Sequence, residues 1–159
     1  MNIRQEQIDQ IEIDVYGKYE ALLNSEKYGS CILKDEKVAE ILYNKILSYH
    51  KSLYSLKCFA IMPNHVHILL GSLGNNPEDV DDDVSNWMNL IKGSSSRLIN
   101  KHLGLSGNLW AARFWDRYIR NEFHYSNSFY YTINNSEKAG LEDKYKYKPY
   151  LWRKDRDED

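Results

Sequence analysis

The chain has 159 residues, a formal net charge of −2, 13 tyrosines and four tryptophans. That length suits one domain over 1–159 with a real core and excludes two large ones. A pI near 6.2 argues, taken alone, against a nucleic-acid binder. The charge is uneven, however. Residues 78–83 carry five acids and no base, whereas 84–123 carry six bases against two acids. That second segment is locally +4, so a polyanionic partner stays open beside a plain solvated helix face. Cys31 and Cys58 lie far apart with no CxxC and read as free, partly buried thiols, a disulfide being the minor reading. The polar stretch Met1–Gln10 has no signal-peptide pattern, and no apolar run approaches the ~20 residues of a membrane span. A cytoplasmic protein without a membrane partner is expected.

Residues 1–24 have weak helical periodicity (Ile8, Ile11, Val15, Tyr19, Leu22, Leu23) and fit a helix or a loosely attached arm. Asp35 is a plausible N-cap for an amphipathic helix over 36–51, where Val38, Ile41, Leu42, Ile46 and Leu47 recur at helical spacing. Tyr54 to Ile61 alternates as a strand. Met62-Pro63-Asn64 is a short turn, and a second strand follows from His65 to Gly71, which predicts an antiparallel hairpin. The acid run closes a solvated loop over 72–83. A helix is expected from Val84 to His102, ended by Gly104 and Gly107. Leu109 to Arg120 alternates aromatic and basic residues and suggests one or two strands. The last helix spans Ser126 to Lys138, with Gly140 as its C-terminal cap. The tail from Lys144 is charged and aromatic, and Asp155–Asp159 is expected to fray. This order predicts an α+β fold, with helices packed on an antiparallel sheet.

Two constellations carry chemistry. Along a strand His65 and His67 point to one face while Val66, Ile68 and Leu70 point to the other. Two neutral imidazoles on one sheet face begin a divalent-metal site; the alternative is a pair of half-exposed histidines. In the last helix, Tyr130/Asn134 and Tyr131/Asn135 have i,i+4 spacing. Phe129, Tyr130 and Ile133 fall within one apolar arc, so Tyr130 reads as core. Tyr131 and Asn135 lie roughly 155–165° from that arc's centre and form a polar stripe that packing does not require.

MPNHVHILL (from Met62), the WMNLIKGSSSRLINKHLG helix (from Trp87), LW…FWDRYIRNE (from Leu109) and YYTINNSEKAGL (from Tyr130) together resemble the REP-associated tyrosine transposases. These are grouped with the transposases of small insertion sequences among the His-hydrophobic-His nucleases. The resemblance covers about residues 28–142. It implies a ferredoxin-like α+β fold with a catalytic tyrosine on a C-terminal helix. Aligned on Lys138-Ala139-Gly140-Leu141, it places the nucleophile on Tyr131 and a third metal ligand, after His65 and His67, on Asn135. It further implies Mg²⁺ or Mn²⁺ as cofactor, a 5′-phosphotyrosine intermediate, and single-stranded or hairpin DNA as partner, handled by a monomer or a homodimer. Lys92, Arg97, Lys101, Arg113, Arg117 and Arg120 are the candidate phosphate contacts, and Trp110, Phe114 or Trp115 the candidate base stackers. Alternatives are a non-cleaving DNA-binding regulator of the same ancestry and a metal phosphoesterase acting on small substrates. Ser136 and Thr132 depart from the family's usual Pro and Ile and are expected to loosen the helix end. The family's first strand is not recognisable in Tyr16–Leu33. The reading requires Tyr131 and Asn135 to lie beside His65 and His67.

Overall fold

The structure is a computed structural model that describes residues 17–74 and 80–158, the side chains of 80–83 excepted. The first two thirds of the predicted N-terminal arm and residues 75–79 therefore lie outside the described residues, and the rest of the acid run, 80–83, is helical rather than part of the expected loop. Helix α1 covers 17–24, and a short 3₁₀ turn follows at Ile32–Lys34. No strand occurs among the described residues before β1.

Helix α2 (Glu36–Ser48) starts where the sequence predicts, since the Asp35 carboxylate accepts from the backbone N–H groups of Lys37 and Val38. Its buried residues Val38, Ala39, Leu42, Tyr43 and Ile46 form one stripe. Strands β1 (Ser55–Ile61) and β2 (Val66–Gly71) pair antiparallel, from Ile61↔Val66 to Ser55↔Gly71. Pro63 and Asn64 turn between them, with Met62 N–H donating to the His65 carbonyl at 2.8 Å. His65 belongs to this turn rather than to the strand.

The third strand corrects the reading of the tail. β3 (Leu151–Arg153) pairs antiparallel with β1, so the sheet order is β2-β1-β3. Tyr145, Tyr150, Leu151 and Trp152 are buried, and that apolar content draws the segment into the core. The last turns do not stand away from the fold either. Helix α6 (Lys154–Asp157) follows β3, and Glu158 pairs with Lys51 and with His50.

Helix α3 (Val80–Leu103) packs beside α2 on one side of the sheet. Phe59, Ile61, Trp152, Val66, Ile68 and Leu70 meet these helices in the main core. The opposite face presents Cys58, Ala60, Leu69 and Leu151 to Ile133 and Phe129 of α4 (Glu122–Ile133). The α+β expectation, with an antiparallel sheet and packed helices, is what the chain forms.

Two expectations are revised. Leu109 to Arg120 forms no strand. It runs along the surface without a ladder partner, and the Lys92 ammonium holds it by donating to the Ala111 and Ala112 carbonyls at 2.6 and 3.1 Å. The last helix is broken at Asn134 (φ −100°, ψ 5°) into α4 and α5 (Asn135–Lys138). Gly140, at φ +66°, does cap it. Its N–H reaches the Glu137 carbonyl while Leu141 N–H reaches Ser136, the paired bonds of a Schellman motif.

Phe59 is fully buried between the edge of Tyr43 and the stacked face of Trp152. Phe59→Ala should cost about 3–5 kcal/mol of stability, measured by urea unfolding. A loss under about 1 kcal/mol, small for a core truncation, would mean that this contact does not anchor the sheet.

Candidate active site

Alternation along β2 sends His67 and Leu69 to the α4 face, opposite Val66, Ile68 and Leu70. His65, although in the turn, reaches the same side. The Nε2 atoms of His65 and His67 are 3.1 Å apart and their rings are nearly perpendicular. Neighbouring ligands on an octahedral ion with ~2.1 Å bonds are about 3.0 Å apart, so the pair has the spacing of two ligands on one cation.

Asn64 determines the state of His65. Its Nδ2 donates to the Leu23 and Tyr28 carbonyls, at 2.9 and 2.8 Å. The remaining amide oxygen can only accept, so the His65 Nδ1, 2.7 Å away, carries the proton. Nε2 of His65 is then the lone-pair nitrogen. Burial, with His67 adding to it, pushes this imidazole down to about 4, so it is neutral at pH 7. Such a hydrogen bond behind a ring is the usual support of a metal-binding histidine.

The helix residues arrive from the far end of the chain. The Tyr131 ring lies edge-on to His67 with centroids 5.9 Å apart. The Lys138 ammonium sits 4.5 Å from the Tyr131 centroid, a cation–π contact. Asn135 is 1 % exposed, and its Nδ2 donates to Glu20 Oε1 at 2.9 Å. That same carboxylate oxygen is 3.3 Å from His67 Nε2. Burial pushes the Glu20 carboxyl up, but the hydrogen bonds from His67 and Asn135 outweigh it and leave the group below its ordinary value.

Tyr131 and Asn135 thus stand on the same side of the sheet as the histidine pair, as the sequence requires. The reason given for choosing them needs correction. Tyr130, read as core, is 60 % exposed, whereas Asn135, read as part of a polar stripe that packing does not require, is buried. The face carrying Tyr131 and Asn135 turns inward because polar side chains await it there. An apolar-arc argument is blind to such a partner.

The basic candidates are spread more widely. Arg97, Lys101, Arg113, Arg117 and Arg120 are exposed, while Lys92 is engaged with the Ala111 and Ala112 carbonyls. Phe114, Trp115 and Tyr118 are exposed among the arginines. Trp110 instead joins the core and donates from Nε1 to Ser95.

Sequence reasoning missed Glu20, Asn64 and Lys138. Asn64 and Lys138 lie inside quoted motifs, where their side-chain chemistry was the available signal. Glu20 lies in a segment with no motif. Among the described residues no three His, Cys, Asp or Glu side chains form a ready metal cluster.

The chain belongs to the IS200-like transposases: the family model described as "Transposase IS200 like" matches residues 21–145, well over half of its length. That family consists of enzymes that cleave DNA and transfer strands, so DNA is the partner. No curated protein and no solved structure matches the chain significantly. No helix among the described residues is long and apolar enough to cross a membrane.

The depressed His65 value gives a pH dependence. The unfolded imidazole binds a proton below about 6.5 and the folded one only near 4, so the unfolded state holds more protons between these values. Stability contributed by neutral His65 is whole above pH 6.5 and is lost as pH falls toward 4. His124, also lowered by burial, acts with the same sign. The metal-free protein should therefore melt at progressively lower temperature from pH 7 to pH 5, and less steeply in His65→Gln. Identical slopes in the two proteins would refute the assignment to His65.

Proposed function

We propose that this transposase is a single-tyrosine nickase and strand transferase acting on single-stranded or hairpin DNA, of the REP-associated branch. Tyr131 is its nucleophile. The observation that carries the reading is the meeting of Tyr131 and Asn135 with the His65–His67 pair from the opposite end of the chain.

The metal is Mg²⁺ or Mn²⁺, with His65, His67 and the Asn135 side-chain oxygen as the residues that would hold it. They fit such an ion: the Nε2 atoms have the right spacing, Asn64 fixes the His65 tautomer, and an amide oxygen is a hard donor. Bound there, the ion supplies neutralisation of the phosphodiester's negative charge. All three ligands are neutral and leave that charge for the DNA.

Tyr131 attacks the phosphorus with its hydroxyl oxygen. As the oxygen–phosphorus bond forms, the bond to the 3′ oxygen breaks. The phenol gives up its proton and the departing oxygen takes one up, leaving a 5′-phosphotyrosine and a free 3′-OH. Lys138 places a positive charge against the ring on whose oxygen negative charge develops. One phosphoester replaces another, so a second 3′-OH can reverse the step and join strands without ATP. Arg97, Lys101, Arg113, Arg117 and Arg120 contact phosphates, and Phe114 and Trp115 stack on bases. Lys92 serves by holding the segment that carries three of these arginines.

A labelled single-stranded hairpin incubated with the protein and Mn²⁺ should give an adduct that survives denaturant. The adduct should fall by ~10³-fold or more in Tyr131→Phe and persist in Tyr130→Phe. An adduct that survives loss of Tyr131 moves the nucleophile elsewhere. Binding by the wild type with no adduct at any metal concentration replaces this reading with a non-cleaving regulator.

For the basic segment, Arg113→Ala and Arg117→Ala should each weaken binding to unrelated single strands alike. Each should also lower the slope of log affinity against log salt by about 0.7. Unchanged slopes would remove these arginines from the DNA path.

A further inference from the structure

Glu20 is an acid buried where the proposed chemistry does not use it. It is 8 % exposed, lies on α1, and sits one residue before the stretch that the family model matches. Its Oε1 meets two of the three residues proposed to hold the metal: Asn135 Nδ2 at 2.9 Å and His67 Nε2 at 3.3 Å. No Lys or Arg pairs with it among the described residues. Burial alone raises the cost of this carboxylate, and its only partners among the described residues are two side chains of the proposed metal site, His67 and Asn135.

The chemistry of the contact specifies a role. An amide has one donor end and one acceptor end, and a carboxylate only accepts. The Asn135 NH₂ is claimed by Glu20, which leaves the carbonyl oxygen as the end available to a cation. A buried Asn without that partner could present either end, and one of the two repels a metal. α1 is also tied to the histidine turn, because Asn64 donates to the Leu23 carbonyl at its end and accepts from His65. The path from α1 through Asn64, His65 and His67 to Glu20 returns to α1 and closes a ring of contacts.

We propose that Glu20 is a positioning residue: α1 places its carboxylate so that Asn135 offers its oxygen to the divalent ion, which makes the N-terminal helix part of the metal site. The inference rests on the metal reading above. Glu20 acts through Asn135 and touches neither DNA nor the reacting atoms.

The test is Mn²⁺ binding to the full chain without DNA, followed by electron paramagnetic resonance, with metal-free melting curves as the check on folding. Glu20→Ala should weaken Mn²⁺ binding by roughly 10–100-fold, the usual cost of losing a group that orients a ligand. Glu20→Gln, whose side-chain oxygen can still accept from Asn135, should recover binding to within about threefold, since only the charge is lost. In an Asn135→Ala background, adding Glu20→Ala should change little, because the two act as one unit. Unchanged binding in Glu20→Ala overturns the inference, as does Glu20→Gln binding as weakly as Glu20→Ala, which would assign the role to charge. Should Glu20→Ala melt with the unfolded chain, the Gln variant and the double-mutant comparison decide. A wild type that binds no Mn²⁺ sinks the metal reading itself, a different outcome from a wild type that binds and an alanine variant that binds equally well.

Discussion

The two-residue alternation of β2 is the constraint on which the site and the core both depend. Val66, Ile68 and Leu70 enter the core beneath α2 and α3, while His67 and Leu69 face α4. A slip of one residue would put histidines into the apolar layer and bury polar nitrogens without partners. The register that packs the protein is therefore the register that aims the imidazole. β1 carries the sheet from the centre, paired with β2 on one side and β3 on the other, so most of its residues are covered on both faces.

The far side of the site depends on a discontinuity. A helix unbroken from Glu122 to Lys138 would carry one continuous face. The interruption at Asn134 separates the segment bearing Tyr131 from the turn bearing Asn135. Thr132 and Ile133 anchor the end of α4, and Asn135 and Ser136 the start of α5, all four of them buried. The Schellman bonds at Gly140 then end the second piece. The departures at Thr132 and Ser136 fall in this region. The Thr132 hydroxyl donates back to the Ser128 carbonyl, a bond that isoleucine cannot make.

Local chemistry was the part most readable from sequence. Asp35 as a cap, the Pro63–Asn64 turn, Gly140 at positive φ and the alternation around His67 each follow from short-range rules, and the structure carries all four. What the sequence concealed was decided by partners far along the chain. Leu151–Arg153 reads as part of a charged, aromatic tail until β1 is present to pair with it. Leu109 to Arg120 alternates like a strand but finds no ladder, so its alternation distributes charge and aromatic surface. The burial of Asn135 was hidden because Glu20 has no motif to announce it, and Tyr130 looked buried because apolarity was the only criterion. Of the segment sought as a first strand, 17–24 is helical and Ile32 and Leu33 lie in a 3₁₀ turn, with irregular chain between them.

Sequence distance also explains why the site is a property of the whole fold. Glu20 and Asn135 are 115 residues apart, Asn64 reaches back 41 residues to Leu23, and the histidines lie between. No isolated hairpin or helix can hold the arrangement, because closing loops of such lengths has to be repaid by packing across the sheet. α2 and α3 support one face, and α4 closes on the other. α1, held by Asn64 and Glu20, completes a cluster in which each polar group answers another. In the proposed metal site, a carboxylate within that cluster would reduce the positive charge that an ion brings to the phosphate. By holding the amide end of Asn135, it would also determine which atom that ion meets. In a buried polar cluster the second effect carries more weight, because a misdirected dipole there can neither reorient into water nor be screened by salt.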